Sequence, residues 1–439
     1  MTDPAPRIGP DNTPGQSAGV VDEPRNRSER ATDDLLNRSH LLAGHQLPKV
    51  ISEYASQLQA SNLTIYLVDL QQNVLVPFLG PDGPDLHESL PRLAVDTTLA
   101  GRAYQLVQVL TQDLPGGRLR VWLPLLDGSE RLGVVTVVVQ DPQATQRPEL
   151  MARLRRLAAL TAELVMTKTL YGDTIVRLRR AAEMGLAAEM QWSLLPPLTF
   201  SCDRVTIAGA PEPAYQVAGD TVDYAVDAGY ARMAVFDGMG HGLQSAQLAA
   251  LTVAAYRNAR RSGRSLTGTV RSIDEAVLAG FGGEAFATAV VAELDTDTGR
   301  FQWISAGHPE PLLLRDGKLV KTLHVDPAPP LGLGRSADPT GPADPLTVGT
   351  EQLEPGDRVL FYTDGVTEAR SPDGDFFGPE RLVDLTSRNL ASGLPTPETM
   401  RRVVRALLAH QQGHLSDDAT LLLLEWRSGN EQALIPSHP

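Results

Sequence analysis

Apolar residues along this chain recur at two spacings, and the changes between them mark its elements. Alternating runs at 63-LTIYLVDL-70 and 73-NVLVPFL-79, and short apolar runs at 119-LRVWLPLL-126 and 132-LGVVTVVVQ-140, predict strands. Asp127-Gly128 favours the turn of a hairpin between the last two. Helical spacing predicts an amphipathic helix from Asp34 to about Leu58 and a short helix near 98–106. From Pro148, Leu150, Leu154, Leu157, Leu160 or Thr161, and Leu164 recur every three or four residues, and Ile175, Leu178, Ala181 or Ala182, and Gly185 or Leu186 continue the stripe toward Leu195. That seam suits a partner helix, in the same chain or in a second copy. Gly172 and Gly185 interrupt it, each costing about 1 kcal/mol against Ala.

Beyond Pro196 strands are expected at 205–210, 222–227 and 231–236, then helices at 243–261 and 266–280. A strand-rich meander over 286–323, a strand ending at Asp364, helices at 379–391 and 396–411, and a last strand at 419–427 complete the pattern. Strand runs interleaved with helix pairs predict an α+β class, with a sheet sandwich covered by helices. The expected division is a disordered segment at 1–34, an α/β domain at 35–146, a helical linker at 147–195, a second domain at 196–428 and a disordered tail at 429–439. The first segment is rich in Pro, Gly, Asp, Asn, Ser and Arg and has little apolar surface to offset its ordering entropy.

The 439 residues leave room for two sizeable cores. A net charge of −14 argues against a nucleic-acid partner, which wants a basic face. The apolar runs fall short of the roughly 20 residues of a membrane helix, and no secretory signal is expected at the start. The single cysteine, Cys202, excludes an internal disulfide and a cysteine-based zinc cluster, so a reducing, cytoplasmic setting is expected.

The candidate chemistry lies in four aspartates at strand ends. Asp237 closes 231-ARMAVFDGMGHG-242, Asp364 closes 358-RVLFYTDGVTEA-369, Asp417 opens 416-SDDATLLLLEW-426, and Asp220 lies in 217-VAGDTVDYAV-226. Strand ends can converge on one rim of a sheet, and hard oxygen ligands gathered there suit Mg²⁺ or Mn²⁺. Two such ions can activate a water and clamp the oxygens of a phosphoryl group, the pattern of a two-metal hydrolase. At Asp237-Gly238 the missing side chain lets the Gly238 carbonyl turn toward a metal.

In order, AGDTVDY, FDGMGHG, SAGHPEPLLL, GDRVLFYTDGVTEA and SDDATL, preceded by 191-QWSLLPPL-198, resemble the motif set of the stage-II-sporulation branch of the metal-dependent protein phosphatases, over about residues 190–427. The resemblance implies an α-β-β-α sandwich, a serine/threonine phosphatase activity and two Mn²⁺ or Mg²⁺ ions. It implies that Asp237 bridges both ions, that Gly238 lends its backbone oxygen, and that Asp220, Asp364 and Asp417 complete the ligands, with Asp418 as the fallback for Asp417. It also implies a phosphorylated anti-sigma-factor antagonist as substrate. Two positions depart from the pattern: Ala218-Gly219 stands where two glycines are usual, and Met239 stands where the animal branch has a histidine. His241 is the nearby candidate for a proton donor to the leaving serine. The segments 97-TTLAGRAYQLVQVL-110 and 121-VWLPLLDGSERLGVVTVV-138 resemble a GAF-type sensory module over about 36–165, implying a small-molecule or protein signal. With the helical seam, a homodimer is expected.

Blander roles are expected elsewhere. His308 orders a strand-end turn, His410 and His414 mark a solvated helix end, Cys202 is a spacer, and Glu368 either orients a water or caps the next segment. Two other functions compete. A silent regulatory scaffold would bind no Mn²⁺, and a nucleotide cyclase would need base-recognising residues and lacks the SAGHP and DDAT elements.

Overall fold

The structure, a computed structural model, describes residues 24–80, 90–141, 143–212, 215, 219–333, 346–413, 415 and 417–426. Most of the expected disordered segment, the tail, Ala218 and His414 lie outside the described residues.

The first half is built on β1 (Ala60–Val68), β2 (Val74–Phe78), β3 (Leu93–Ala94), β4 (Leu110–Leu114), β5 (Arg118–Asp127) and β6 (Glu130–Val139). They form one antiparallel sheet in the order β3-β2-β1-β6-β5-β4. Alternation decides which residues face which layer. Ile65 and Leu67 face helices α1 (Pro24–Ser39) and α2 (Leu47–Gln57), while Tyr66 and Val68 face α3 (Leu99–Leu106). Helix α1 starts ten residues before the expected Asp34, so 24–34 is helical where disorder was expected, because Ala31 and Leu35 find a place in this core. A 3₁₀ turn at Gly44–Gln46 separates α1 from α2 where one helix was expected.

The linker departs from expectation as well. Helix α4 (Pro148–Thr169) spends Leu154, Leu157 and Leu164 in the first core, so this stretch of the seam packs on its own sheet. The rest of the stripe breaks into α5 (Thr174–Leu178) and α6 (Leu186–Leu194), with the breaks at the two interrupting glycines.

The second half contains β7 (Thr199–Ser201), β8 (Val205–Glu212), β9 (Thr221–Asp227), β10 (Tyr230–Gly238), α7 (Leu243–Arg261), α8 (Leu266–Phe281), β11 (Ala287–Asp295), β12 (Arg300–Ala306), β13 (Leu312–Arg315) and β14 (Lys318–Thr322). It continues through β15 (Gly349–Gln352), β16 (Arg358–Tyr362), α9 (Asp364–Thr367), α10 (Pro379–Ala391), α11 (Thr396–His410) and β17 (Ala419–Trp426). Two sheets, ordered β15-β12-β11-β10-β9 and β14-β13-β16-β17-β8-β7, pack face to face. Val222, Val235, Val290, Trp303, Phe361 and Leu422 fill the space between them. Helices α7 and α8 cover the first sheet through Phe236 and Tyr256, and α10 and α11 cover the second through Leu360, Leu382 and Leu407. This is the expected α-β-β-α order of layers.

A polar seam joins the halves. Glu398 on α11 is fully buried and accepts from Arg131 of β6 at 3.2 Å, from Arg401 at 2.8 Å and from Arg402 at 2.9 Å. Arg401 also reaches Asp96 at 2.6 Å, and Gln72 accepts from Arg131 at 2.9 Å and from the Tyr104 hydroxyl at 2.8 Å. The Arg131 guanidinium lies 4.6 Å from the centre of the Tyr104 ring. No described helix is long and apolar enough to cross a membrane.

Candidate active site at the mouth of the sandwich

The same alternation that fills the sandwich places the carboxylates. On β10, Met233 and Val235 point between the sheets, so Asp237 at the strand end does too. Asp220 precedes the inward Val222 by two, and Asp418 stands two before Thr420 and four before the inward Leu422. Thr363 follows the inward Phe361 by two. The inward rows of these strands therefore stop being apolar at one end of the sandwich and become polar there, acidic at Asp237, Asp220 and Asp418.

The inner part of this mouth is closely tied. The backbone N–H of Asp220 donates to the Asp418 carboxylate at 3.2 Å, and the Thr363 hydroxyl donates to the Asp220 carboxylate at 2.6 Å. Thr363 in turn accepts from the Thr420 N–H at 2.9 Å. The Gln191 side chain on α6 donates to the Asp220 carbonyl. Two glycines make the approach possible. A Cβ on Gly219 would lie 2.0 Å from the Gly238 oxygen, and one on Gly365 would lie 1.7 Å from the Asp418 oxygen. The Ala218-Gly219 departure thus leaves the essential glycine in place, and the Gly238 carbonyl comes up against that glycine's backbone.

The second acid of the same motif shows by contrast what is missing. Asp223, on the helix-facing side of β9, is held by Arg257 at 2.8 Å and Arg260 at 3.1 Å. Among the described residues no basic side chain is a leading cause of the shifted acidities of the mouth. Burial, then repulsion from Asp418 and Asp237, pushes Asp220 well above the carboxylate range. Burial, then Asp364 and Asp417, raises Asp237 to about 6. Asp418 is raised to about 7, mainly by burial, and Asp364 is raised by burial and then by Glu368 and Asp417. Asp237 thus links the two sets: its charge raises Asp220 and Asp418 of the inner pair, and it is itself raised by Asp364 and Asp417 of the outer one.

The expected residues Asp220, Asp237, Asp364 and Asp417 are thus brought to one mouth. Asp364 and Asp417 are exposed, whereas Asp418, the expected fallback, is 5% exposed and on the inner side. Counting by twos back from Leu422 would have given that placement. Among the described residues no three acidic, histidine or cysteine side chains stand close enough to hold an ion as they are. The donor set nonetheless fits Mg²⁺ or Mn²⁺: it is all oxygen, half-buried, and short of positive charge. His241 is exposed in the turn before α7, and among the described residues no hydrogen bond joins it to a carboxylate. His308, expected to order a turn, is buried with its Nδ1 2.7 Å from the Thr288 hydroxyl. His410 pairs with Arg381 at 2.9 Å and with the Asp375 carbonyl at 3.0 Å. Cys202 is free and half-buried.

Residues 227–427 match the family described as Stage II sporulation protein E (SpoIIE). The chain is 30% identical over 138 residues to Protein IcfG of Synechocystis, covering 31% of this chain and 20% of that one. It is 27% identical over 243 residues to Phosphoserine phosphatase RsbU of Bacillus subtilis, covering 55% of this chain and 70% of that one. A solved structure of the RsbU and RsbW domains of a Mycobacterium tuberculosis protein superposes with a TM-score of 0.43 at 28% identity, over 51% of this chain and 60% of that one. The chain thus spans about a fifth of the length of the first of these relatives.

Proposed function

We propose that this chain, whose residues 227–427 are a SpoIIE-type phosphatase domain, hydrolyses phosphoserine or phosphothreonine on a protein substrate with the help of two Mn²⁺ or Mg²⁺ ions. One observation carries the reading. Asp220 and Asp418, buried, and Asp237, half-buried, come from distant parts of the chain to one mouth, where they repel one another and no basic partner stands among the described residues.

In this reading Asp237 would be shared by the two ions, Asp220 and Asp418 would hold the inner one and Asp364 and Asp417 the outer one, and the Gly238 oxygen would be the neutral donor. Bound there, divalent ions supply a nucleophilic water at neutral pH and positive charge around the phosphoryl oxygens. The chain's own part is to keep the carboxylates aimed: Thr363 fixes Asp220, and the Asp220 N–H fixes Asp418. His241, exposed in the turn that follows Asp237-Gly238, is the candidate donor of a proton to the leaving hydroxyl.

The substrate in this reading is a phosphorylated anti-sigma-factor antagonist. It rests on the resemblance and on the likeness to RsbU, a phosphoserine phosphatase. The front domain is the GAF-like regulatory module, acting in the cytoplasm on a signal at its own face. A homodimer would form through Leu170, Tyr171 and Leu186, the exposed apolar residues of the linker. The test is phosphate release from a phosphoserine protein of this class, with Mn²⁺ titrated in. Metal-dependent release supports the reading. Release that is indifferent to a chelator, or none at any metal concentration, overturns it.

A further inference from the structure

The reading above leaves one buried polar side chain of the mouth unused. His308, in the SAGHP turn after β12, is 6% exposed. Its carbonyl accepts from the Ser305 hydroxyl at 3.1 Å, which ties the turn to the inward row of β12. Its Nδ1 lies 2.7 Å from the Thr288 hydroxyl, while its Nε2 is buried with no hydrogen bond. Thr288 is the residue directly opposite Asp237 in the β10–β11 pair. Residues opposed in this way have Cβ atoms roughly 5 Å apart on the same face, within reach of a hydroxyl-to-carboxylate hydrogen bond. Thr288 and His308 therefore stand in line behind a carboxylate assigned to both metals.

We propose that His308 is a positioning residue that takes the hydroxyl proton of Thr288 and so keeps the lone pairs of Asp237 free for a cation. A threonine hydroxyl has one proton to donate. Without an acceptor behind it, Thr288 turns that proton onto Asp237 and occupies an oxygen that a metal needs. With Nδ1 as acceptor, the proton points away. In the proposed tautomer Nδ1 accepts from Thr288, which leaves the ring proton on Nε2. Burial holds the imidazole neutral, with its pKa lowered to about 4, so Nδ1 stays an acceptor throughout the neutral range.

The inference rests on the metal reading, and calorimetry of Mn²⁺ binding to the full chain separates the two. Wild type should bind Mn²⁺, and no binding at all overturns both. His308→Ala should weaken binding about tenfold, the usual size for loss of a group behind a metal ligand. Thr288→Val should bind close to wild type. The double variant His308→Ala/Thr288→Val should bind more tightly than His308→Ala alone, because no misdirected hydroxyl is left. A role in folding alone predicts the reverse, a double variant at least as weak as the single. That result, or unchanged binding in His308→Ala, overturns the proposal while leaving the metal reading intact. Should His308→Ala fail to fold, the contrast of His308→Asn with His308→Gln decides. Asn places its amide oxygen where Nδ1 was, so affinity kept by Asn and lost by Gln supports the proposal, and equal affinities overturn it.

Discussion

Two buried acidic clusters in this molecule have opposite electrostatics. At the seam between the halves, burial pushes Glu398 toward its neutral form, but hydrogen bonds from Arg401 and the charges of Arg131 and Arg401 outweigh it, and its pKa is lowered. At the mouth of the sandwich, burial of Asp220, Asp237 and Asp418 is reinforced by neighbouring carboxylates, and all three are raised. The polypeptide thus completes one cluster and leaves the other short of positive charge. A cluster completed within the chain serves to join its parts. One left incomplete is arranged for something that arrives from outside.

The largest effect should come from emptying the central position of the mouth. Asp237→Asn keeps the shape and removes the charge shared by both metal positions. Metal-dependent phosphate release should fall by about 10⁴-fold or more, equivalent to ~5.5 kcal/mol of barrier. The metal-free protein should become slightly more stable, because one mutually repelling carboxylate is gone. Loss of activity with loss of stability would break the comparison, for it would make Asp237 a structural residue.

At the seam the same kind of change should act in the opposite sense. Glu398→Ala strands the buried Arg131 and Arg401 without their shared acid. Breaking a buried pair from one side costs about 3–5 kcal/mol, which denaturant unfolding would read as a lowered midpoint. A loss below about 1 kcal/mol would mean that solvent reaches the seam.

The third contrast is the response to pH and metal together. Asp237 and Asp418, raised from 3.8 to about 6 and about 7, hold protons in the folded metal-free protein that the unfolded chain has already released. Stability then falls as pH rises from about 4 to about 7. Cations displace those protons, so the stabilisation by Mn²⁺ should be larger at pH 7.5 than at pH 5.5, by about 1–3 kcal/mol. Equal metal-induced shifts in thermal unfolding at both values would remove the proposed competition between proton and cation.

How far the sequence reveals these two clusters differs, for a physical reason. The acids of the mouth lie beside glycines in short ordered motifs, so Asp220, Asp237 and Asp364 are legible along with the layer order, and strand alternation fixes the inward direction of Asp220 and Asp237. Asp418 is legible only once β17 is anchored at Leu422, since a slip of one residue exchanges the faces of Asp417 and Asp418. The seam offers no such pattern. Glu398 sits in an ordinary amphipathic helix, and its partner Arg131 follows a hairpin turn 267 residues away. Neither has a local cue, because what selects them is the docking of two separately folded surfaces. The linker misled for a related reason. A leucine stripe has the same spacing whether it faces a second helix or its own sheet, and α4 faces its own sheet.

The smallest expected effect sharpens the comparison from the acid side. Because the folded pKa of Glu398 lies below the unfolded value of 4.5, its stabilising contribution is fully present above that value and is lost as pH falls through the folded one. Between those two values the unfolded chain binds the extra proton, and stability rises with pH. At the mouth the slope over the neighbouring range has the other sign, so metal-free wild type should show a stability maximum on the acidic side of neutrality. Glu398→Gln keeps the shape of the side chain and removes its titration. In that variant the falling acid limb should flatten by about 1 kcal/mol or less, while the decline from pH 5 to pH 7 persists. Urea midpoints at half-unit steps from pH 3.5 to 7.5 measure both limbs in one series. An acid limb of unchanged slope in Glu398→Gln would move its origin to other carboxylates and leave the seam silent toward protons.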